Sequence, residues 1–293
     1  MKKLKRKKIS IFNIMVYLIF TVIALFTLYP FWNLLVVSFN EPYDSIKGGL
    51  TLWPRVFSFI NYSYLFSDDY LDIIGIALRN SLVRTILGTA LNVFFSTLIA
   101  YALSKKYFVL RKFMNVLIII PMYLSVGLIP TYLLYKQLFL VKSFAVYIIP
   151  NLISAYNIII LRNFMAGIPP SLTEAAQIDG ATEQGILFKV IFPLCLPVLA
   201  TMCLFIAVFQ WSSWQDTMYF AQNENLTTLQ WEMAKVIRGT TSLGKGSAAM
   251  IGKPTKETLN AAITVVATLP IIMVYPFLQK YFVNGMTLGA VKE

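Results

Sequence analysis

The sequence predicts an all-α membrane protein, a polytopic bundle crossing the bilayer six times, and three observations carry that prediction. Of 293 residues, 58% are hydrophobic and 13% charged, about half the charge of a soluble domain, and the mean hydropathy is +0.69. Apolar runs near the roughly 20 residues that span a bilayer recur along the chain. The excess positive charge, a net +12, gathers beside particular runs, as topology signals do. One membrane domain, residues 11–293 after a basic tail at 1–10, accounts for the length and leaves little for a soluble enzyme domain.

Six of the first eight residues are basic: Lys2, Lys3, Lys5, Arg6, Lys7 and Lys8. Such an arm can bind nucleic acid. Directly before an apolar run it sets topology instead, and no nucleic-acid partner is expected. The run at about 11–37 is too long for a signal-peptide core and lacks a cleavage site, so it reads as the first span. Pro42, Gly48, Gly49 and Pro54 mark turns in the segment 39–73. The second span, about 76–103, carries Arg79 and Arg84, which either snorkel outward or face the protein interior. A basic loop follows with Lys105, Lys106, Arg111 and Lys112. The third span, about 113–134, is interrupted by Pro121 and Pro130. The fourth lies at about 144–161, the fifth at 194–214 and the sixth at 261–282, with a polar segment at 216–259. The basic bias places both termini, the 105–112 loop and the 169–193 loop in the cytoplasm, and segments 39–73 and 216–259 outside.

Several chemistries are excluded. The chain has no histidine and two cysteines, Cys195 and Cys203, in one apolar span without a C-x-x-C spacing. No Ser-His-Asp triad or histidine-held metal can form, and no catalytic residue, metal or cofactor is expected on this chain. Residues 239–246, Gly-Thr-Thr-Ser-Leu-Gly-Lys-Gly, approach a phosphate-binding loop. They put Gly246 where a hydroxyl must hold magnesium, and no strand precedes them. A flexible outer loop is the reading, so any ATP hydrolysis would have to come from another chain.

The most informative polar stretch is 169–193. Pro169 and Pro170 stop any helix arriving from upstream. Ser171 and Glu174 have capping-box spacing, and Gly180 suits a left-handed helix end. Thr182 can cap a second helix with Glu183 in its first turn, limited by Pro193. Leu172, Ala175, Ala176 and Asp179 share one face, small enough for another protein to approach closely. Ile186, Leu187, Val190 and Ile191 give the second helix an apolar face toward the spans. Glu174-Ala175-Ala176, three residues, Gly180, then Val190-Ile191-Phe192-Pro193 resembles the EAA loop of ABC-importer permeases. Val190 and Phe192 replace that pattern's isoleucine and leucine.

The resemblance extends over nearly the whole chain, to carbohydrate ABC-importer permeases of the maltose-permease type and within them the complex-oligosaccharide branch. It is carried by Thr51-Leu52-Trp53-Pro54, Asn61-Tyr62, Asn80-Ser81, Ala100-Tyr101-Ala102-Leu103-Ser104, Ile129-Pro130-Thr131-Tyr132, Ile149-Pro150, Leu269-Pro270-Ile271 and Tyr275-Pro276-Phe277 continuing to Val283. It implies a subunit of a sugar importer in a bacterial cell membrane, working by alternating access. The implied partners are a homologous permease, two ABC ATPase subunits that bind ATP and Mg, and an extracellular sugar-binding protein. Glu174, Ala175, Ala176, Asp179, Gly180, Ala181, Phe188 and Pro193 would be the ATPase-coupling residues. Two polar sets are candidates for the substrate path. Trp211, Trp214 and Gln215 share a helical face, either an interfacial aromatic belt or a sugar-stacking wall; Trp211-Ser212 departs from the family's frequent Trp-Asn. Asn151, Ser154 and Asn157 form a stripe that serves either helix–helix hydrogen bonds or a hydrated cavity. A secondary transporter would bury ionisable residues at mid-membrane, and an intramembrane enzyme would need a catalytic set. A permease for another solute would share the loop and lack the flanking sugar-permease segments.

Overall fold

The computed structural model describes residues 11–49, 51–124, 126–238 and 253–290. Its principal helices are α1 (Ile11–Ser38), α2 (Asp68–Ser104), α3 (Arg111–Tyr123), α4 (Leu128–Gln137), α5 (Ala155–Ala166), α6 (Pro170–Ile178), α7 (Glu183–Ile186), α8 (Leu196–Ser212), α9 (Gln215–Phe220), α10 (Leu229–Arg238) and α11 (Lys256–Ala290). One antiparallel bridge joins Asn40 and Phe57; otherwise the described residues form helices, turns and loops. The basic arm at 2–8 and the glycine-rich loop at 239–246 lie outside the described residues.

Among the described residues, three helical stretches are long and apolar enough to cross a membrane: Ile11–Ser38, Tyr70–Ser104 and Lys256–Met273. Two bent pairs raise this to as many as five: Phe144–Asn151 with Ala155–Ala166 at 42°, and Glu183–Leu194 with Leu196–Ser212 at 80°. The expected third span is where the structure departs from six continuous crossings. α3 ends at Leu124 in extended backbone, and Gly127 enters α4 at φ 80°. At 1.5 Å per residue, α3 and α4 are about 20 and 15 Å long, each short of a roughly 30 Å hydrocarbon core. The fourth span is also interrupted. Two 3₁₀ turns, Phe144–Tyr147 and Ile149–Asn151, precede α5. Pro150 lacks a backbone donor, and Ser154 starts α5 afresh by accepting from the Asn157 N–H.

The chain divides into two compact units. The first takes Met1–Tyr70 and Lys235–Val266. After α1, its chain closes around buried Asn61, whose Nδ2 donates to the Ser38 and Asn40 carbonyls at 2.9 and 3.0 Å. Asn40 Nδ2 donates to Asp44 at 3.1 Å, and Lys47 and Arg55 pair with the same carboxylate at 3.0 and 3.1 Å. Hydrogen bonds from Asn40 and Lys47, with the Arg55 charge, hold the Asp44 carboxyl below its ordinary value. Its contribution to this turn is therefore present at neutral pH and lost as pH falls through that lowered value. Phe39, Phe57, Phe59 and Tyr62 stack beside it, with ring centres 4.8–5.7 Å apart. None of the apolar window of α1 is buried within the structure, so lipid or another chain must cover it.

The second unit takes Leu71–Ala234 and Ala267–Glu293. Its core joins Ala100, Tyr101 and Leu103 of α2, Ile158, Leu161 and Met165 of α5, and Leu199, Met202 and Ile206 of α8. Ile186, Leu187 and Ile191 enter the same core from the 169–193 loop, as their spacing predicts. Where this core lies in the bilayer, close packing rather than exclusion of water holds it together.

Asn61→Ala would leave two buried carbonyls without their donor. We expect the segment 38–61 to lose about 1–3 kcal/mol of local stability, read as faster amide hydrogen exchange there with exchange in α8 unchanged.

Candidate functional site

Helices α2, α5 and α8 border a cavity of about 520 Å³ lined by Asn92, Asn151, Ile153, Ser154, Tyr156, Asn157, Phe205, Ile206, Phe209 and Gln210. The Asn151, Ser154, Asn157 stripe therefore reaches a common cavity, although not along one helix: Asn151 closes a 3₁₀ turn and Ser154 caps α5. The stripe also bonds between helices. Asn157 Nδ2 donates to Asn92 Oδ1 at 3.2 Å, and Asn92 Nδ2 donates to the Asn151 carbonyl at 2.6 Å. The stripe thus makes helix–helix hydrogen bonds and also borders a cavity. Asn92, the residue on α2 that ties the network, was not legible: an asparagine in an apolar span announces a polar contact but not its partner.

Above this cavity in α2 sits Arg84, fully buried. Its guanidinium donates to the two Asp216 oxygens at 2.5 and 3.1 Å, to Gln210 Oε1 at 3.1 Å and to the Ser213 carbonyl at 3.2 Å. It also lies 4.5 Å from the centre of the Tyr147 ring, whose hydroxyl donates to the Leu226 carbonyl at 2.5 Å. Of the two placements open to the arginines, Arg84 takes the interior and Arg79 is exposed. The Gln210 amide lies flat on Gly88, where an added Cβ would stand 2.4 Å from its Nε2; only glycine admits this approach. A second cavity of about 300 Å³ adjoins the pair, lined in part by Leu128, Tyr135, Asn151, Gln215 and Asp216.

The expected common face of Trp211, Trp214 and Gln215 does not exist. α8 ends at Ser212, Ser213 is extended, and Trp214 caps the separate helix α9. Trp211 is buried and donates its Nε1–H to the Ala267 carbonyl at 2.8 Å. Trp214 stacks on Trp231, with ring centres 6.1 Å apart. Of the three, Gln215 alone is among the lining residues of either cavity. At this break the Ser213 carbonyl accepts from Arg84, a contact between residues 129 apart in sequence.

The 169–193 loop folds as helix, turn, helix. α6 begins two residues earlier than the capping box predicts: Pro169 is the cap, Pro170 the first helical residue, and no side chain caps the end. A proline's fixed φ suits that first position, which moves Ser171 inside the helix. Gly180 is left-handed at φ 78°. The Gly180 N–H bonds the Gln177 carbonyl at 3.0 Å and the Ala181 N–H the Ala176 carbonyl at 2.9 Å, the two bonds of a Schellman motif. Thr182 caps α7 by accepting from the Gly185 N–H at 3.2 Å. A π-helical turn, Leu187–Ile191, follows, and the chain bends past Pro193. Ala176 and Ala181 pack inward on the core, so the expected face of α6 is divided. Glu174, Ala175, Asp179, Gly180, Phe188 and Pro193 point outward.

Comparison with known proteins places these features. Residues 92–218 match the family described as binding-protein-dependent transport system inner membrane component. A polygalacturonan/rhamnogalacturonan transport system permease protein, YtcP of Bacillus subtilis, is 36% identical over 288 residues, covering 97% of this chain and 99% of that one. The arabinooligosaccharides transport system permease protein AraQ of the same species is 30% identical over 287 residues, covering 97% of each chain. A crystal structure of a bacterial ABC transporter involved in importing the acidic polysaccharide alginate superposes at TM-score 0.85 with 29% identity, over 96% of this chain and 100% of that one. The chain belongs to the family of binding-protein-dependent transport system inner membrane components. It is a membrane-embedded permease subunit of an ABC importer and not an enzyme; the ATPase is a separate subunit.

Removing Asp216 would leave Arg84 buried and unpaired. Asp216→Ala is expected to cost about 3–5 kcal/mol, whereas the double change Arg84→Met with Asp216→Leu should recover most of it. Thermal unfolding of the purified complex in detergent measures both.

Proposed function

We propose that this subunit forms one side of a path for a sugar or oligosaccharide. The single observation that supports it most is the cavity lining: Asn92, Asn151, Ser154, Asn157 and Gln210 interleaved with Tyr156, Phe205 and Phe209. Amides and hydroxyls exchange hydrogen bonds with sugar hydroxyls, and rings cover the apolar faces of a sugar. At about 1 kcal/mol net per hydrogen bond, such contacts guide a substrate and still release it. The names of the oligosaccharide-transporting relatives support the same substrate class. Gln215, beside the second cavity, continues the path, while Trp211 and Trp214 brace the wall behind it.

In this reading the chain crosses the membrane six times, with α3 and α4 as one broken crossing; interrupted helices are tolerated where protein or a cavity surrounds them. The basic arm and the 105–112 loop set both termini and the 169–193 loop in the cytoplasm. A homologous permease covers α1 and completes the cavity, two ABC ATPase subunits bind ATP and Mg, and an extracellular binding protein delivers sugar. The outward residues Glu174, Ala175, Asp179, Gly180, Phe188 and Pro193 meet the ATPase, and Ala176 and Ala181 carry its displacement into the core. ATP-driven closure then switches the cavity between inward-facing and outward-facing states.

Glu174→Lys reverses a charge on this surface, and Gly180→Leu strains a left-handed position. Each should leave the subunit in the membrane and reduce uptake of a labelled oligosaccharide to background. Normal uptake by both variants, at equal abundance of the complex, would refute the coupling role.

A further inference from the structure

The carboxylate of Glu183 lies where the 169–193 loop meets the end of α2. Tyr101 Oη donates to Glu183 Oε2 at 2.6 Å and Tyr107 Oη to Oε1 at 2.7 Å. Gln177, on the turn side of α6, reaches Oε1 with its Nε2 at 3.4 Å. Lys105 Nζ sits 4.7 Å from the centre of the Tyr101 ring. Hydrogen bonds from Tyr101 and then Tyr107 hold the Glu183 carboxyl below its ordinary value, so it is an anion at neutral pH. Burial, followed by the bond to Glu183, pushes the Tyr107 phenol up to about 12, so it remains a donor. Hydrogen bonds to an ionised acceptor are roughly twice as strong as neutral ones. Glu183 is also the first residue of α7, behind the Thr182 cap, so the clasp is anchored at the turn between the loop's two helices.

The two ends of this clasp belong to parts with different work. α6 and its turn carry the outward surface on which the ATPase is placed above. α2 carries Asn92, which lies on the cavity roughly 14 Å along the helix from Tyr101 at 1.5 Å per residue. Ala176 and Ala181 press on the core beside this joint. Those apolar contacts are non-directional and fix no particular geometry of the joint. The tyrosine–carboxylate bonds add a directional, charge-assisted tie across the same joint. We propose that Glu183 is a positioning residue for coupling: its carboxylate, held by Tyr101 and Tyr107, ties the 169–193 loop to α2 so that both move as one body in both directions of the cycle.

This proposal rests on the coupling role of the loop, and the test separates the two. The full importer, with its ATPases and binding protein, is reconstituted in liposomes, and sugar transported per ATP hydrolysed is measured together with subunit assembly. Tyr101→Phe with Tyr107→Phe removes both donors at nearly constant volume. Assembly and basal ATP hydrolysis should stay normal while transport per ATP falls roughly tenfold, within the usual range of coupling between sites. Glu183→Cys with Tyr107→Cys should show the same loss, and a short bifunctional thiol cross-linker should restore it. A merely structural role would lower assembly and leave transport per ATP unchanged. Unchanged coupling in the double phenylalanine variant, or a cross-link that fails to restore transport, overturns the clasp. In the same preparation, normal uptake by Glu174→Lys would overturn the loop's coupling role instead.

Discussion

A guanidinium in an apolar bundle needs partners for its donors, and Arg84 draws a large part of the fold around that need. Asp216 supplies the counter-charge, Gln210 and the Ser213 carbonyl accept further hydrogen bonds, and Tyr147 presents its ring. These groups come from α8, the break after it, α9 and the 3₁₀ turn before α5. Buried pairs of this kind add little net stability over apolar substitutes but penalise any arrangement that separates them. The break at Ser213 and the start of α9 supply two of these partners. Gly88 leaves room for the Gln210 side chain that accepts from the arginine.

Below that centre the chemistry changes from charged to neutral. Gln210 belongs to both, accepting from Arg84 and lining the larger cavity. Asn92, Asn151 and Asn157 extend the amide lining. At the opposite end of α2 the core cluster joins α2, α5 and α8 to the 169–193 loop. The same helices that border the cavity are therefore packed on the loop, with no flexible linker between them. That continuity gives a displacement of the loop a route to the cavity wall through packed side chains and one charged clasp, a route defined here by contact geometry.

The sequence disclosed features whose causes are local. Gly180 and Thr182 form the turn they predict, because a left-handed glycine and a capping hydroxyl act within a few residues. Ile186, Leu187 and Ile191 are buried as their periodicity requires. Features set by distant contacts were hidden. Trp211, Trp214 and Gln215 have helical spacing, yet the helix ends at Ser212 and the face is not formed. Ser171 has capping spacing, but Pro170 competes for the helix start and wins. Glu183 reads as an ordinary first-turn acid; nothing nearby in sequence reveals that Tyr101 of α2 and Tyr107 of the loop after it converge on it. The interruption between α3 and α4 is foreshadowed by Pro121 and Pro130, whereas Gly127, at φ 80°, gives no comparable signal in the sequence.

In the proposed mechanism, motion imposed on the loop opens the amide-lined cavity. Ile153 lines that cavity and is about half exposed. A cysteine there, in a background without Cys195 and Cys203, reports access directly when a membrane-impermeant thiol reagent is applied from outside to the reconstituted importer. Trapping the ATPases closed with a transition-state analogue of ATP hydrolysis should raise the labelling rate strongly, and Glu174→Lys should abolish the increase. Equal labelling with and without the analogue, in a complex whose ATPases are shown to be trapped, would contradict the account.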